Sequence, residues 1–484
     1  MHKLVAIGDS LTQGFTSGSV YRTERSYPAM IARALGAHDT FSQPQFDNDE
    51  GKTGGFPFNI EDLLHRLSLK FPNGVPIGSF ARMIMETNNQ LDVVEKFWES
   101  RLLDQDCCHH NLAILSYTIQ ESYRLDSLLC RKETASPRDH WLLFRQMPEK
   151  PMYRAANHTL ASIKKGITQL DRVKELAEDG GIENLIISLG ANNCLGAIIE
   201  LSIKLSDDDD LYRHPHERRC NLWRPAHFRQ CLDFLAGRLR GLDIKNIFIT
   251  TVPYVTAPPI SRGTPPESFS GGRYDFYTRP WIWDTAFKPW FHPSLKRKDI
   301  VLIDEFVDYY NHSIETVASD KGWRVIDLCG MLNAVSFRRH QGKPPFKWPR
   351  EAVQALERNP KTSYLVKDGT PTLDTRYIRL DASSTPEERK IKCGGLFSLD
   401  AVHPTTFMYG IIANLFLKPM LETGVRRCDG SLPSLDWDSI VSSDSLLYNP
   451  PLLLNDLRSI IEKLSSRLYG QILFKVLESF KSNF

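Results

Sequence analysis

The run Lys3-Leu4-Val5-Ala6-Ile7-Gly8-Asp9-Ser10-Leu11-Thr12-Gln13-Gly14 decides how the rest of the chain is read. Lys3 to Ile7 has the length and apolar character of a buried strand, and a serine follows it between two glycines. A helix-patterned segment comes next, Tyr27-Pro28-Ala29-Met30-Ile31-Ala32-Arg33-Ala34-Leu35, with Gly36 as its C-terminal stop. Strand, tight turn and helix in that order present a polar side chain at the carboxyl edge of a sheet, where open α/β folds bind ligands. Ser10 is therefore a candidate nucleophile, although such a Gly-Asp-Ser turn can also serve only to cap backbone groups.

Working outward, the same grammar repeats. Asn111-Leu112-Ala113-Ile114-Leu115 reads as a second short buried strand, with Ser116-Tyr117-Thr118 opening the turn after it. Ala155 to Ala177 carries Leu160, Ile163, Ile167, Leu170, Val173 and Leu176 at helical steps, which predicts one amphipathic helix stopped by Gly180-Gly181. Asn184 to Leu189 is the third strand and runs into Gly190-Ala191-Asn192-Asn193, so again a strand ends in glycine beside a polar side chain. A helix from about Pro225 to Leu239 leads to a fourth strand, Asn246 to Val252, ended by Pro253. The helix Ile300 to Ala318 and the strand Trp323 to Asp327 make a fifth step. Strands alternating with helices predict an α/β fold, a doubly wound parallel sheet in one domain carrying insertions.

The insertions fall at about 37–110, 197–224, 254–298 and 333–395 of a domain spanning 1–424. The first, with short helical patterns near Ile60 to Leu69 and Leu91 to Leu102, is expected to form a cap or wall over the site rather than core. Its Gly51-Lys52-Thr53-Gly54-Gly55 piece lacks the earlier glycine of a phosphate cradle, since Phe46 stands there. Cys107-Cys108-His109-His110 has metal-ligand residue types without the gaps that let side chains converge, so no metal is expected. Asp207 to Asp210, followed by His214 and His216, lacks the alternation of a calcium loop and is expected to be a solvated loop. Between Tyr254 and His292, Tyr274, Phe276, Tyr277, Trp281 and Trp283 could stack on sugars, lipids or bases, or could anchor the loop to the body. Residues 425–484 read as a helical extension, with Leu457, Ile460, Ile461, Leu464, Leu468, Ile472, Leu473, Val476, Leu477 and Phe480 in an apolar stripe. That stripe must be covered by the main body or by a second copy of the chain.

Charge and cysteine narrow the classes further. Lys and Arg number 60 against 58 for Asp and Glu in 484 residues, a balance that recruits neither nucleic acid nor an anionic membrane through global charge. No uninterrupted apolar stretch reaches the length of a membrane span, so stable membrane insertion is not expected. The start Met1-His2-Lys3 does not read as a secretory signal, and nine cysteines at irregular spacings suit reduced thiols; the expectation is a cytoplasmic protein.

The last signal is Leu399-Asp400-Ala401-Val402-His403-Pro404, before a helix from about Thr405 to Leu421. A carboxylate three residues ahead of an imidazole can accept its Nδ1 proton, leaving Nε2 free to take a proton from a serine. Taken together, Gly8-Asp9-Ser10-Leu11, Gly190-Ala191-Asn192 and Asp400-Ala401-Val402-His403 resemble blocks I, III and V of the SGNH (GDSL-type) hydrolase superfamily. The resemblance covers the sheet-forming parts of residues 1 to about 421.

The resemblance implies a three-layer α/β/α sandwich of flavodoxin-like type, with strand order 2-1-3-4-5. It implies Ser10 as nucleophile, His403 as general base and then acid, and Asp400 as the group orienting His403. It also implies an oxyanion hole made by the Ser10 backbone N–H, the Asn192 side-chain amide and a block II backbone N–H. The family has glycine in block II; here Ser116 occupies the turn after the second strand, while Gly51, Gly54 and Gly55 have no strand in front of them. The implied activity is hydrolysis of small-molecule carboxylic esters, by an esterase, a lipase-like enzyme, a carbohydrate acetylesterase or a lysophospholipase, without metal or organic cofactor. The other class left open is a non-catalytic binding module that keeps the fold.

Overall fold

The buried apolar runs of the sequence become parallel strands covered on both faces, as the absence of polar alternation within them requires. The computed structural model describes residues 1–46, 54–71, 79–100, 106–135, 150–280, 282, 284–340, 345–381 and 389–454. Its central sheet holds β1 (Val5–Gly8), β2 (Ile182–Ser188), β3 (Ile244–Thr250) and β4 (Arg324–Ile326), in that spatial order and all parallel. Register sets Val5 opposite Leu185 and Gly8 opposite Ser188, so the carboxyl ends of β1 and β2 lie side by side.

The run 111–115 lies along the free side of β1, joined by a parallel bridge between Ala6 and Asn111. Leu112 N–H donates to Ala6 O (2.8 Å) and Ile114 N–H to Gly8 O (3.0 Å). It differs from the expected strand in being an isolated bridge, because on the side facing β1 the Leu112 carbonyl is taken by Gln169 Nε2, which also donates to Gly8 O. On its outward side the Ala113 N–H is taken by the Asn111 side chain and the Leu115 N–H by Gln13 Oε1. Side chains thereby satisfy an edge that would otherwise invite another strand.

Helices follow the strands. In chain order they include α1 (Ser10–Gln13), α2 (Tyr27–Ala34), α3 (Ile60–Lys70), α4 (Phe80–Ser100), α5 (Pro151–Leu160) and α6 (Gln169–Glu178). There follow α7 (Asn192–Glu200), α8 (Pro225–Leu239), α9 (Arg297–Lys321) and α10 (Thr406–Glu422). α2 packs on α10, while α6, α8 and α9 pack in succession. The expected single helix over 155–177 is divided. Ala161 turns left-handed (φ 41°) after α5, and Thr168 starts α6 afresh with a reciprocal capping box to Asp171. The hydrophobic spacing continues across the break because both helices face the same core, which is why periodicity alone could not see it.

Each of the four insertions differs from its sequence reading or falls partly outside the described residues. The first contributes Phe46, Phe56, Ile60, Leu63, Leu64, Leu67 and Trp98 to the main hydrophobic core, a structural role beyond that of a cap. Asp207 to Asp210 is not a wholly solvated loop: Asp208–Leu211 forms a short 3-10 helix, and Asp210 is buried with Arg213 at 3.0 Å. In the aromatic insertion, Arg262–Thr264, Phe276–Thr278 and Leu295–Lys296 make a small antiparallel sheet with Tyr277 buried. Trp281 and Trp283 lie outside the described residues, as do Gly51 and the stripe from Leu457 to Phe480. The described part of the C-terminal extension buries Trp437, Ile440, Val441, Leu446 and Leu447 in the main core. Among the described residues no helix is long and apolar enough to cross a membrane.

Candidate active site

Ser10 sits where β1 gives way to α1. The helix begins at once rather than resuming at Tyr27: Asp9 is its N-cap, accepting from the Leu11 N–H at 3.0 Å, and Gly14 ends it in the left-handed region (φ 90°). Gly8 is required by close approach, because a Cβ there would lie 2.5 Å from Thr12 Cβ and 2.8 Å from the Ser188 carbonyl oxygen. Gly190 plays the matching part after β2. Its φ is 122°, and a Cβ would sit 2.6 Å from Val252 Cγ2 and 3.0 Å from the Phe228 ring.

The far end of the chain returns to this point. His403 Nε2 lies 2.8 Å from Ser10 Oγ, and His403 Nδ1 lies 3.0 Å from Asp400 Oδ2. All three residues are buried, Asp400 completely. Asp400 Oδ1 also accepts the backbone N–H groups of Val402 (2.9 Å) and His403 (2.8 Å), and Oδ2 accepts that of Gly18 (2.8 Å). Burial would raise the Asp400 carboxyl; the imidazole beside it and these backbone donors outweigh burial and hold it below its ordinary value. An ionised Asp400 fixes hydrogen on Nδ1 and leaves Nε2 to accept from the Ser10 hydroxyl.

The loop that makes this possible is bent sharply. Ala401 is left-handed (φ 66°), its carbonyl accepts the Ile260 N–H at 2.9 Å, and the His403 carbonyl accepts the Ser398 N–H at 2.8 Å. The spacing of Asp400 and His403 was legible; its supports were not. A hairpin of Phe15–Thr16 and Ser19–Val20 carries Ser17 and Gly18 at its turn and docks them on the loop. Ser17 N–H donates to Ser398 Oγ at 2.8 Å, and the Phe15 ring packs against the imidazole with centroids 4.5 Å apart. Ser17-Gly18 between two short extended pairs is a hairpin signal that could have been read.

Asn192 opens α7 and is buried. One N–H of its amide donates to the Tyr117 carbonyl at 3.0 Å, which pins the side chain and leaves its second hydrogen for another acceptor. That bond joins Asn192 to the turn carrying Ser116, the residue before Tyr117. Ser116 is left-handed (φ 63°), its Oγ is buried without a hydrogen-bond partner, and the preceding Leu115 N–H is held by Gln13 of α1 at 3.0 Å. With Ile114 bonded to Gly8, Ser116 stands two residues further along, as Ser10 does. The structure therefore brings Ser10, His403 and Asp400 into direct contact and gathers Asn192 and Ser116 on the same carboxyl edge. Gly54 and Gly55 are packed against other segments: a Cβ on Gly54 would meet Asp62 of α3, and one on Gly55 the Val20 carbonyl and Tyr21.

Asp9 was not singled out by the sequence beyond its turn. Its carboxyl is buried, and that burial pushes it up to about 7, opposed by the Leu11 N–H and by the charge of nearby His403. Cys107 and His109 keep local company instead of gathering around a centre: His109 Nε2 faces Cys107 Sγ at 3.2 Å and Nδ1 faces Ser42 Oγ at 3.1 Å. His110 Nε2 meets His2 Nδ1 at 2.9 Å. Among the described residues no group of three or more His, Cys, Asp or Glu is arranged to hold a metal ion. All nine cysteines are free. No protein-family model matches this chain, and no curated protein matches it.

Proposed function

We propose that this protein is a serine hydrolase of SGNH (GDSL) type that cleaves carboxylic esters through an acyl-enzyme on Ser10. The observation that carries the reading is the unbroken series Ser10 Oγ, His403 Nε2, His403 Nδ1 and Asp400 Oδ2, at 2.8 and 3.0 Å, between residues at opposite ends of the chain. In this reading Ser10 Oγ attacks the ester carbonyl carbon while His403 Nε2 takes its proton. The tetrahedral oxyanion accepts hydrogen bonds from the Ser10 N–H, the free Asn192 N–H and the Ser116 N–H. Collapse breaks the bond to the alcohol, which leaves with the proton from His403, and water then repeats the cycle on the acyl-enzyme.

Two further observations support it. Ser116 adopts the left-handed backbone that favours glycine, in the turn that the resemblance would match to the family's block II glycine. The run 111–115 hydrogen-bonds to β1 on the side away from β2, so counting it as a strand gives the 2-1-3-4-5 order of the flavodoxin-like, three-layer form. Nine unpaired thiols fit the cytoplasmic location that belongs to the same proposal.

The test is labelling by a fluorophosphonate, followed by hydrolysis of p-nitrophenyl esters of graded chain length. Wild type is expected to be labelled at Ser10 and to hydrolyse the esters. Ser10→Ala should lose labelling and on the order of 10⁴- to 10⁶-fold of kcat, and Asn192→Ala roughly 10²- to 10³-fold. An unlabelled wild type, or equal turnover by Ser10→Ala, would remove the hydrolase and favour a binding module on the same fold.

A further inference from the structure

The loop between Phe276–Thr278 and Leu295–Lys296 ends in the tip Lys288-Pro289-Trp290-Phe291-His292. Trp290 is 85% exposed and Phe291 76%, and no other adjacent pair among the described residues places two large apolar side chains so fully in water. The tip is held in shape. Phe291 and His292 N–H groups both donate to the Lys288 carbonyl (3.0 and 2.9 Å), and the Lys288 N–H donates to His292 Nδ1 at 3.0 Å. Phe287 stacks on the His292 ring and packs against Phe276, while Thr278 Oγ1 donates to the Pro293 carbonyl at 2.8 Å. The rings that anchor the loop therefore differ from the rings it displays.

The charge around the tip has one sign left over. Lys288, Lys296 and Lys298 are exposed, and none of their ammonium groups is ion-paired among the described residues. Asp284 is paired with both Nη atoms of Arg262 (2.9 and 2.7 Å) and Asp275 with Arg297 (3.1 Å), while Asp299 accepts only the Lys296 backbone N–H (2.8 Å) and keeps its charge, so three lysines stand against one unneutralised carboxylate. Two rings offer about 300–500 Å². That is below the roughly 600 Å² each side contributes to even a small stable protein interface, which weighs against a protein partner or a second copy as the occupant. An aromatic pair on a stiff tip flanked by lysines matches the headgroup region of a bilayer, where indole rings settle at the interface and ammonium groups attract anionic lipid.

We propose that this tip docks the protein reversibly on an anionic phospholipid surface, with Trp290 and Phe291 entering the headgroup layer and Lys288, Lys296 and Lys298 facing the phosphates and carboxylates. The proposal does not depend on the reaction at Ser10. It is tested by flotation of the full chain with vesicles of phosphatidylcholine alone and of phosphatidylcholine mixed with phosphatidylserine. Wild type is expected to float with the mixed vesicles, less so as salt rises. Trp290→Ala/Phe291→Ala should bind about tenfold or more weakly, and each lysine-to-glutamate reversal about fivefold or more weakly. Quenching of tryptophan fluorescence by brominated acyl chains, lost in Trp290→Phe, gives an independent readout of depth. Absence of flotation at low salt would overturn the proposal. So would wild-type binding by the double ring variant, or self-association that depends on the two rings.

Discussion

Asp9 caps the helix that presents Ser10, and its carboxylic acid is enclosed with no cation paired to it among the described residues. Burial raises it from 3.8 to about 7, so the folded chain holds a proton there that the unfolded chain releases near pH 4. The sign follows: its contribution to stability is full below pH 4 and is lost as pH rises through about 7, because the folded state binds the extra proton. Asn keeps the oxygen that accepts from Leu11 and carries no ionisable proton. Asp9→Asn is therefore expected to gain on wild type as pH rises from 4 to 8, and thermal unfolding midpoints measured across that range check it. Asp400 behaves oppositely, its depressed carboxyl stabilising at neutral pH and failing in acid. That two aspartates of one site are driven apart was invisible in the sequence, because both are buried by the fold and they differ in what opposes burial: His403 and backbone donors beside Asp400, little more than the Leu11 N–H and the more distant charge of His403 beside Asp9.

At the scale of elements, the break between α5 and α6 shows how a cap overrides a continuous hydrophobic stripe. Thr168 Oγ1 accepts the Asp171 N–H at 3.2 Å, and Asp171 Oδ2 takes the Thr168 N–H in return at 3.0 Å. Arg172, one residue on, closes the other side by donating to the Leu160 carbonyl at the end of α5. Thr168→Ala should cost about 1 kcal/mol, measured as a lower urea midpoint with unchanged slope, whereas a continuous helix would be stabilised by alanine. The motif Thr168-Gln169-Leu170-Asp171 is present in the sequence as a start signal, yet six apolar residues at helical spacing outvoted it. The short run 111–115 illustrates the same lesson in a strand: its apolar residues read correctly as buried, but Asn111, Gln13 and Gln169 decide how much of it is laddered.

At the scale of the molecule, the C-terminal segment is part of the core. Trp437 is buried with its ring 6.0 Å from Phe407 of α10, and Asp444 accepts the Phe407 N–H at 2.7 Å, four residues after His403. The helix that follows the His403 loop is thus held from behind by residues beyond 424. Trp437→Ala should destabilise the whole chain by about 3–5 kcal/mol, read as a fall in the urea midpoint. A chain whose C-terminal segment folded separately would show two transitions, with the main one unmoved.

The sequence by itself determined the succession of the sheet strands along the chain, the glycine-flanked turn that presents Ser10, and the local pairing of Asp400 with His403, because each depends on residues within a few positions of one another. Only the tertiary structure decided that the imidazole meets the Ser10 hydroxyl and that the Ser17-Gly18 turn supports Asp400. It also decided that Asp9 is enclosed and that Trp290 and Phe291 are left in water. Those outcomes turn on burial and on contacts between distant segments, and neither quantity is carried by local pattern.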